Sequence, residues 1–253
     1  MTAGGVGLVL LLAPLLGLVV NSPWSSLLHR LGDSGVLTAL WLSLRTATIT
    51  VVICLLVGVP LAWLLARTEF PGRRIVRALV TVPLVMPPVV GGVALLTAFG
   101  RFGLLGKPLY QGFGLQIPFT TTAVVLAQTF VAMPFLVIAV EGALRSTDER
   151  YDEVAASLGA GRGATFLRVT VPLAAPGIAS GAVLAWARAL GEFGATITFA
   201  GNFAGTTQTM PLLIYTTLNT DPVSAYALSL VLLALSIAVL VALRERWLYG
   251  MVR

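Results

Sequence analysis

Charge is scarce in this sequence. Only 10% of the 253 residues are Asp, Glu, Lys or Arg, and 57% are hydrophobic, whereas soluble domains carry roughly 25% charged residues. The apolar residues stand in runs of about 18 to 30, long enough to cross a hydrocarbon core of roughly 30 Å. The composition therefore excludes a soluble globular domain and predicts an all-α membrane protein.

Cysteine and histidine are nearly absent as well. The single cysteine, Cys54, lies inside an apolar run, so we expect a small buried residue and no disulfide or metal cluster within the chain. The single histidine, His29, stands beside Arg30 outside the apolar runs, and no nucleophile–base pair is apparent. A glycine-rich phosphate loop ending in Lys-Ser or Lys-Thr is also missing. We therefore expect no catalysis, no bound metal and no ATP hydrolysis by this chain.

The net charge of +6 does not indicate nucleic acid as a partner, because the basic residues occupy short loops between apolar runs. With both termini in the cytoplasm, the inner segments 67–77 and 145–170 carry four arginines each and the C-terminal tail carries three. The outer loops then hold only Arg30, Arg101 and Lys107. This bias predicts a multi-pass membrane protein with both termini cytoplasmic.

Six spanning helices are expected within a single transmembrane domain, 1–253. Their approximate ranges are 3–20, 37–66, 78–99, 121–144, 172–198 and 223–243. The first has the length of a signal peptide, but no Lys or Arg precedes it and no clear cleavage site follows, so we interpret it as a span. The third carries Pro83, Pro87 and Pro88 and must kink. The backbone groups freed by such a kink suit a water-lined pathway, and a kink that serves only packing is the alternative.

A polar segment, about 146–170, predicts two short helices on the cytoplasmic side. Ser146 and Glu149 have capping-box spacing at the start of the first helix, and Gly159 can end it in a turn. The second helix, about 164–169, leads into the next span. Since the segment is too small to have its own core, we expect it to dock into a groove on a partner. An ordinary amphipathic loop is the alternative.

The stretch EVAASLGAGRGATFLRVTVPL resembles the loop that marks permease subunits of ATP-binding-cassette importers. In that family a Glu-Ala-Ala triplet is followed by a glycine and then by a hydrophobic residue and a proline. The matching residues are Glu153, Ala155, Ala156, Gly159, Val171 and Pro172, with Val154 where the first alanine is usual. The resemblance implies a coupling helix that inserts into a cleft of an ATPase subunit. The coupling residues that it implies are Glu153, Ala155, Ala156, Gly159 and Ala160.

Two further stretches narrow the resemblance to molybdate permease subunits. One is residues 81–92 with Phe99-Gly100-Arg101, and the other is residues 187–196 with the following 199–202 and 208–212. Sulfate, thiosulfate and tungstate permeases share much of this pattern. The resemblance implies a type I importer permease fold and ATP-driven import of molybdate or tungstate by alternating access. A sulfate or thiosulfate importer is the alternative, and a secondary anion transporter is a more remote one because no internal repeat is visible.

The same resemblance implies the partners. Two copies of the chain would line one pathway in the lipid bilayer of the bacterial inner membrane, with two ATPase subunits below them and an external oxyanion-binding protein above. ATP and Mg²⁺ would bind to the ATPase subunits, and this chain would hold no cofactor.

Several charged residues fall inside or near the apolar runs, where charge is costly. Arg188 and Glu192 are four residues apart and can pair on one helix face; Arg188 is either part of a structural ion pair or a source of positive potential for a passing oxyanion. Glu141 is expected to reach the membrane interface or a neighbouring helix. Residues 195–208 predict either a re-entrant gate segment or a simple outer loop. The candidate pathway residues are Arg188, Glu192, Gly191, Gly194, Thr196, Pro87 and Pro88.

Overall fold

The computed structural model describes residues 2–148 and 150–250, with side chains described for 4–148, 150–239 and 241. Every regular element in this part of the chain is a helix. We number thirteen helices along the chain: α1 (Thr2–Asn21), α2 (Leu27–Leu31), α3 (Ser34–Arg67), α4 (Arg73–Val85), α5 (Pro88–Phe99), α6 (Gly106–Phe113), α7 (Thr121–Ser146), α8 (Arg150–Ser157), α9 (Arg162–Leu173), α10 (Ala175–Leu190), α11 (Gly194–Ala200), α12 (Met210–Leu218) and α13 (Pro222–Gly250).

Helix α7 is the centre of the fold. Of its most apolar stretch 61% is buried, against none of α1 and 17% of the span Pro222–Val239. It packs against α3, α10 and α11. Small residues permit the closest approach: a Cβ atom on Gly177 would collide with Ala143, and one on Gly181 would lie 3.1 Å from the Cβ of Ala139. Backbones that approach this closely gain dispersion contacts, which drive helix association in a bilayer.

Two widened turns interrupt the helices just before prolines. The π-helical turn Cys54–Gly58 lies inside α3, two residues before Pro60, and the turn Phe166–Thr170 lies inside α9, two residues before Pro172. A proline has no N–H to donate to the carbonyl four residues earlier, and its ring crowds that carbonyl. The wider turn relieves this crowding without ending the helix.

Within the described residues four helices are long and apolar enough to span a membrane, and a fifth span is possible if α9 and α10, bent by 75°, count as one. Two predicted spans are not continuous helices, and the first of them is interrupted at the predicted proline kink. The range 78–99 is divided at Met86 and Pro87, which have extended backbone, into α4 and α5. The range 172–198 ends as a helix at Leu190 and resumes only at Gly194. Hydropathy alone detects neither interruption, since Met86, Pro87, Gly191 and Phe193 are apolar or small and Glu192 is a single charge among them.

Candidate functional site

Helix α8 carries the predicted coupling residues, and Gly159 determines where it ends. The N–H of Gly159 donates to the carbonyl of Ala156 at 2.9 Å, and the N–H of Ala160 donates to that of Ala155 at 3.0 Å. This pair of bonds is the Schellman motif, which needs a left-handed residue at the position of Gly159. The φ angle of Gly159 is +85°. Glycine adopts this left-handed conformation without strain because it has no Cβ atom.

The predicted capping box at the start of this helix is wrong. Ser146 is the last residue of α7, and its hydroxyl donates to the carbonyl of Ala143 at 2.8 Å. Asp148 takes the capping role instead, because its carboxylate accepts from the N–H of Arg150 at 3.0 Å. Glu149, the other residue of the predicted box, lies outside the described residues.

One side of α8 is fastened to the membrane domain. The hydroxyl of Thr170 in α9 donates to the carboxylate of Asp152 at 2.9 Å. The guanidinium of Arg67, at the end of α3, lies 3.6 Å from the same carboxylate and also donates to the carbonyl of Thr147 at 3.0 Å. Because of these contacts, a displacement of α8 would also displace the end of α3 and helix α9.

The opposite side of α8 is apolar and uncovered. Tyr151, Val154 and Leu158 are exposed, Leu158 to 84%. Their spacing of three and four residues places them on one helix face. Exposed apolar side chains on a fastened helix outside the spans are typical of an interface with another protein.

A groove of about 520 Å³ runs beside α8 toward the ends of α3 and α9. It is lined by three of the predicted coupling residues, Glu153, Ala156 and Ala160, together with Trp63 and Arg162. The other two, Ala155 and Gly159, form the turn described above. The structure thus brings all five into one small surface, and their role in coupling stays a prediction.

The second cluster of predicted residues lies where α10 ends. The carboxylate of Glu192 is 2.7 Å from the guanidinium of Arg188 through Oε2 and accepts from the N–H of Ala195 at 2.8 Å through Oε1. Glu192 is only 1% exposed, whereas the side chain of Arg188 is 29% exposed. One carboxylate therefore joins the last turn of α10 to the first turn of α11. Such a bond also neutralises the partial positive charge at the start of a helix.

Helix α11 packs closely against α5 through glycine contacts. A Cβ atom on Gly194 would lie 2.5 Å from the Cβ of Pro88, and one on Gly92 would lie 2.5 Å from the Cβ of Thr198. Pro87 stands immediately before α5 as its N-terminal flanking residue. The predicted pathway residues on α5 and on α11 therefore meet, although they are about a hundred residues apart in sequence.

Segment 195–208 is not a simple outer loop, since its first part belongs to a buried helix. Ala195, Thr196, Phe199 and Ala200 are fully buried in α11. The hydroxyl of Thr196 has no hydrogen-bond partner among the described residues. The backbone break at Gly191, followed by a short buried helix, fits the re-entrant interpretation better.

Sequence reasoning missed the buried polar residues through which α3 contacts α7 and α12. The hydroxyl of Thr50 donates to the carbonyl of Val125 at 3.3 Å and lies 3.2 Å from the amide oxygen of Gln128. The hydroxyl of Ser43 accepts from the N–H of Met210 at 2.7 Å. The sequence did carry a signal for these residues, because they are polar and lie inside predicted spans. The same reasoning had been applied only to the charged residues.

An ion pair fastens α2 to the start of α13. The guanidinium of Arg30 lies 2.7 Å from the carboxylate of Asp221, which also accepts from the hydroxyl and N–H of Ser224 at 2.6 and 3.1 Å. These bonds, those of Ser224 first, lower the pKa of Asp221 to about 2. Because these bonds favour the ionised carboxylate, the ion pair with Arg30 contributes fully to stability above the ordinary Asp pKa. That contribution is lost as the pH falls through about 2.

Glu141 reaches a neighbouring helix, as one of the two predicted alternatives required. Its carboxylate lies 2.7 Å from the guanidinium of Arg77 on α4 and 2.7 Å from that of Arg145, one turn further along α7. The carboxyl side chain is 9% exposed. A single buried carboxylate therefore holds two guanidinium groups.

We expect Glu141→Gln to lower the free energy of unfolding by about 1–3 kcal/mol, because the buried carboxylate is the shared counter-ion of two guanidinium groups, while water reaches the side chains of Arg77 and Arg145, which are 34% and 49% exposed. Unfolding of the purified protein in detergent would measure this. Glu69→Gln is the matched control: its carboxylate is 92% exposed and, among the described residues, forms an ion pair with Arg73 alone, so the loss of stability should be below about 1 kcal/mol. Equal losses in the two variants would contradict the role of Glu141.

The sequence of this chain is similar to those of known transport proteins. The sequence profile described as "Binding-protein-dependent transport system inner membrane component" matches residues 58–248. A molybdenum transport system permease protein of Mycobacterium tuberculosis is 49% identical over 240 residues, which cover 95% of this chain and 90% of the relative. The corresponding Escherichia coli K12 protein is 41% identical over 210 residues, 83% of this chain and 92% of the relative.

Among solved structures, a bacterial ABC transporter involved in the import of the acidic polysaccharide alginate is similar, with a TM-score of 0.76. The match covers 98% of this chain and 92% of that chain at 17% sequence identity. At this identity the likeness concerns the fold.

Proposed function

The chain belongs to the family of binding-protein-dependent transport system inner membrane components, and on that premise we propose that it forms the membrane pathway of an ATP-driven molybdate importer. It is an inner-membrane permease subunit with the predicted type I importer fold, and it is not itself catalytic. The assignment of molybdate as the substrate rests on the 41–49% identity to molybdenum permeases over most of the chain. This identity leaves the sulfate alternative less supported.

We also propose how the chain assembles with its partners. Two copies line one pathway, two ATPase subunits bind ATP and Mg²⁺, and an external oxyanion-binding protein delivers the anion. The apolar face of α8, formed by Tyr151, Val154 and Leu158, supports docking of an ATPase subunit at this helix. The concentration of arginines near α8 and α4 supports a cytoplasmic location for this end and for both termini.

A continuous set of contacts leads from the docking face to the buried break. Asp152 joins α8 to α9 through Thr170, and α9 bends by 75° into α10. At the far end of α10, Glu192 holds the first turn of α11, which packs on α5 at Pro88. We propose that closure of the ATPase subunits displaces α8 and that α10 transmits the displacement to α11 and α5, which open and close the pathway. The open and closed states of the pathway would then differ in how these helices pack against one another.

Within this mechanism Arg188 is a positioning residue. Its guanidinium is engaged by the carboxylate of Glu192, and that carboxylate also holds α11. The geometry therefore favours the structural ion pair over direct contact with the anion. Gly191, Gly194 and Thr196 belong to the moving junction, and Pro87 and Pro88 belong to the surface against which it moves.

The substrate is tested by uptake of labelled molybdate in cells with and without this gene. We expect uptake to be lost on deletion, to be restored by the gene, and to be suppressed by excess tungstate but not by excess sulfate. Tungstate is chemically almost identical to molybdate. Uptake that survives deletion, or that sulfate blocks fully, would contradict the molybdate assignment. Co-purification of the tagged chain with an ATPase subunit tests the proposed assembly separately.

A further inference from the structure

A basic pocket of about 650 Å³ lies beside the start of α4 and is not used by the mechanism above. Four guanidinium groups line it, those of Arg73, Arg74, Arg77 and Arg145. Two carboxylates, Glu69 and Glu141, pair with three of them. Four positive and two negative charges leave a formal surplus of two positive charges.

Three of the arginines hold the pocket in shape. Arg73 and Arg77 donate to the carbonyl of Leu65 in the last turn of α3 at 2.9 and 3.2 Å, where cations satisfy unpaired carbonyls. Arg145 is engaged by Glu141. Arg74 differs, because its side chain is exposed and forms no ion pair or hydrogen bond within the described part of the chain. It is the charge that remains available to a ligand.

An apolar stripe begins next to this charge. Ile75, Leu79, Val82 and Val85 are exposed along α4, Leu79 to 64%, and α4 has no buried residue at all. Arg74 and Val85 are separated by about 16 Å along the helix axis at 1.5 Å per residue. One leaflet contributes about 15 Å of hydrocarbon, half of the roughly 30 Å core. The basic end and the stripe together therefore match the depth of one leaflet.

We infer that this surface binds the phosphate group of an anionic phospholipid at Arg74, with an acyl chain along Ile75, Leu79 and Val82. Basic pockets at the membrane surface attract anionic head groups. A second copy of the chain fits this surface less well, since a two-fold interface formed through it would set the two basic pockets close to each other, where like charges repel. The inference depends neither on the transported anion nor on the proposed coupling route.

The test is to count the lipids that stay bound to the detergent-purified transporter by native mass spectrometry, with phosphatidylglycerol or phosphatidylcholine added. We expect phosphatidylglycerol to bind preferentially, and Arg74→Gln to weaken its binding about fivefold, the factor that corresponds to about 1 kcal/mol for one basic residue near an anionic surface. Arg101→Gln is the control, because it removes the same charge from the segment between α5 and α6.

Three results would overturn the inference. Undiminished phosphatidylglycerol binding by Arg74→Gln would show that the pocket is not the site. Full competition by free phosphate or molybdate at the same concentration would make it a site for a soluble oxyanion. Ready disulfide formation between two copies of Leu79→Cys would make the stripe a protein interface; the native Cys54 is buried and would not interfere. An error in the proposed function would instead be detected by the competition between labelled molybdate and tungstate or sulfate. That experiment is independent of the three lipid and cross-linking results.

Discussion

Gly159→Val is expected to reduce molybdate uptake at least tenfold while the chain still inserts into the membrane. The φ angle of Gly159 is +85°, and no atom lies within 4 Å of the position that a Cβ would occupy. Space is therefore available, and the backbone conformation alone opposes the substitution. Forcing an L-residue into the left-handed region costs about 1–2 kcal/mol, and a β-branched residue more. That energy is enough to shift the turn that presents the α8 surface to its partner.

Two controls separate conformation from bulk. Gly159→Asn places a side chain of similar size in the same open space, yet asparagine tolerates the left-handed region, so this variant should keep most of the uptake. Gly161→Val adds the same valine two residues later, where φ is −70°, ψ is 158° and no atom is within 4 Å of the Cβ position. It should also retain uptake, since β-branched residues adopt extended backbone readily.

The measurements are the initial rate of labelled molybdate uptake, the amount of chain in the membrane fraction, and co-purification with the ATPase subunit. We expect Gly159→Val to lose co-purification together with uptake. Normal uptake by Gly159→Val would sink the assignment of the turn to coupling. Equal loss in Gly159→Val and Gly159→Asn would mean that bulk at the interface, rather than the backbone conformation, is what matters.

Features determined by local sequence were the most predictable part of this protein. Long apolar runs identified the membrane helices, and the adjacent prolines Pro87 and Pro88 identified the kink that separates α4 from α5. The i, i+4 spacing of Arg188 and Glu192 predicted a pair that the structure contains. Each of these signals lies within a few residues, where helix geometry alone determines which side chains can meet.

Contacts between distant segments could not be predicted from one sequence. Arg77 and Glu141 are 64 residues apart, and Asp152 and Thr170 are 18 apart with a helix end between them. Hydropathy identifies a span but not the neighbour against which each face packs. The capping-box error at Ser146 arose because α7 extends to Ser146, two residues beyond the predicted span 121–144, so the residue expected to begin the next helix instead ends this one.

Breaking the pair between Arg188 and Glu192 is expected to have a large effect on both stability and transport. Glu192→Gln keeps an oxygen that can accept from the N–H of Ala195 but leaves the guanidinium without its counter-ion. We expect the free energy of unfolding to fall by about 2–4 kcal/mol, toward the lower part of the range for a broken buried pair because Arg188 keeps some contact with water. Uptake should fall at least tenfold, since the junction between α10 and α11 loosens.

The double variant Arg188→Gln with Glu192→Gln decides which role Arg188 has. Both side chains are then neutral, and no uncompensated charge remains buried, so stability should return to within about 1 kcal/mol of the original protein. If Arg188 only positions α11, uptake should recover with stability, to at least half of the original rate. Recovery of stability without recovery of uptake would contradict the positioning role, because it would mean that the positive charge of Arg188 itself acts on the passing anion.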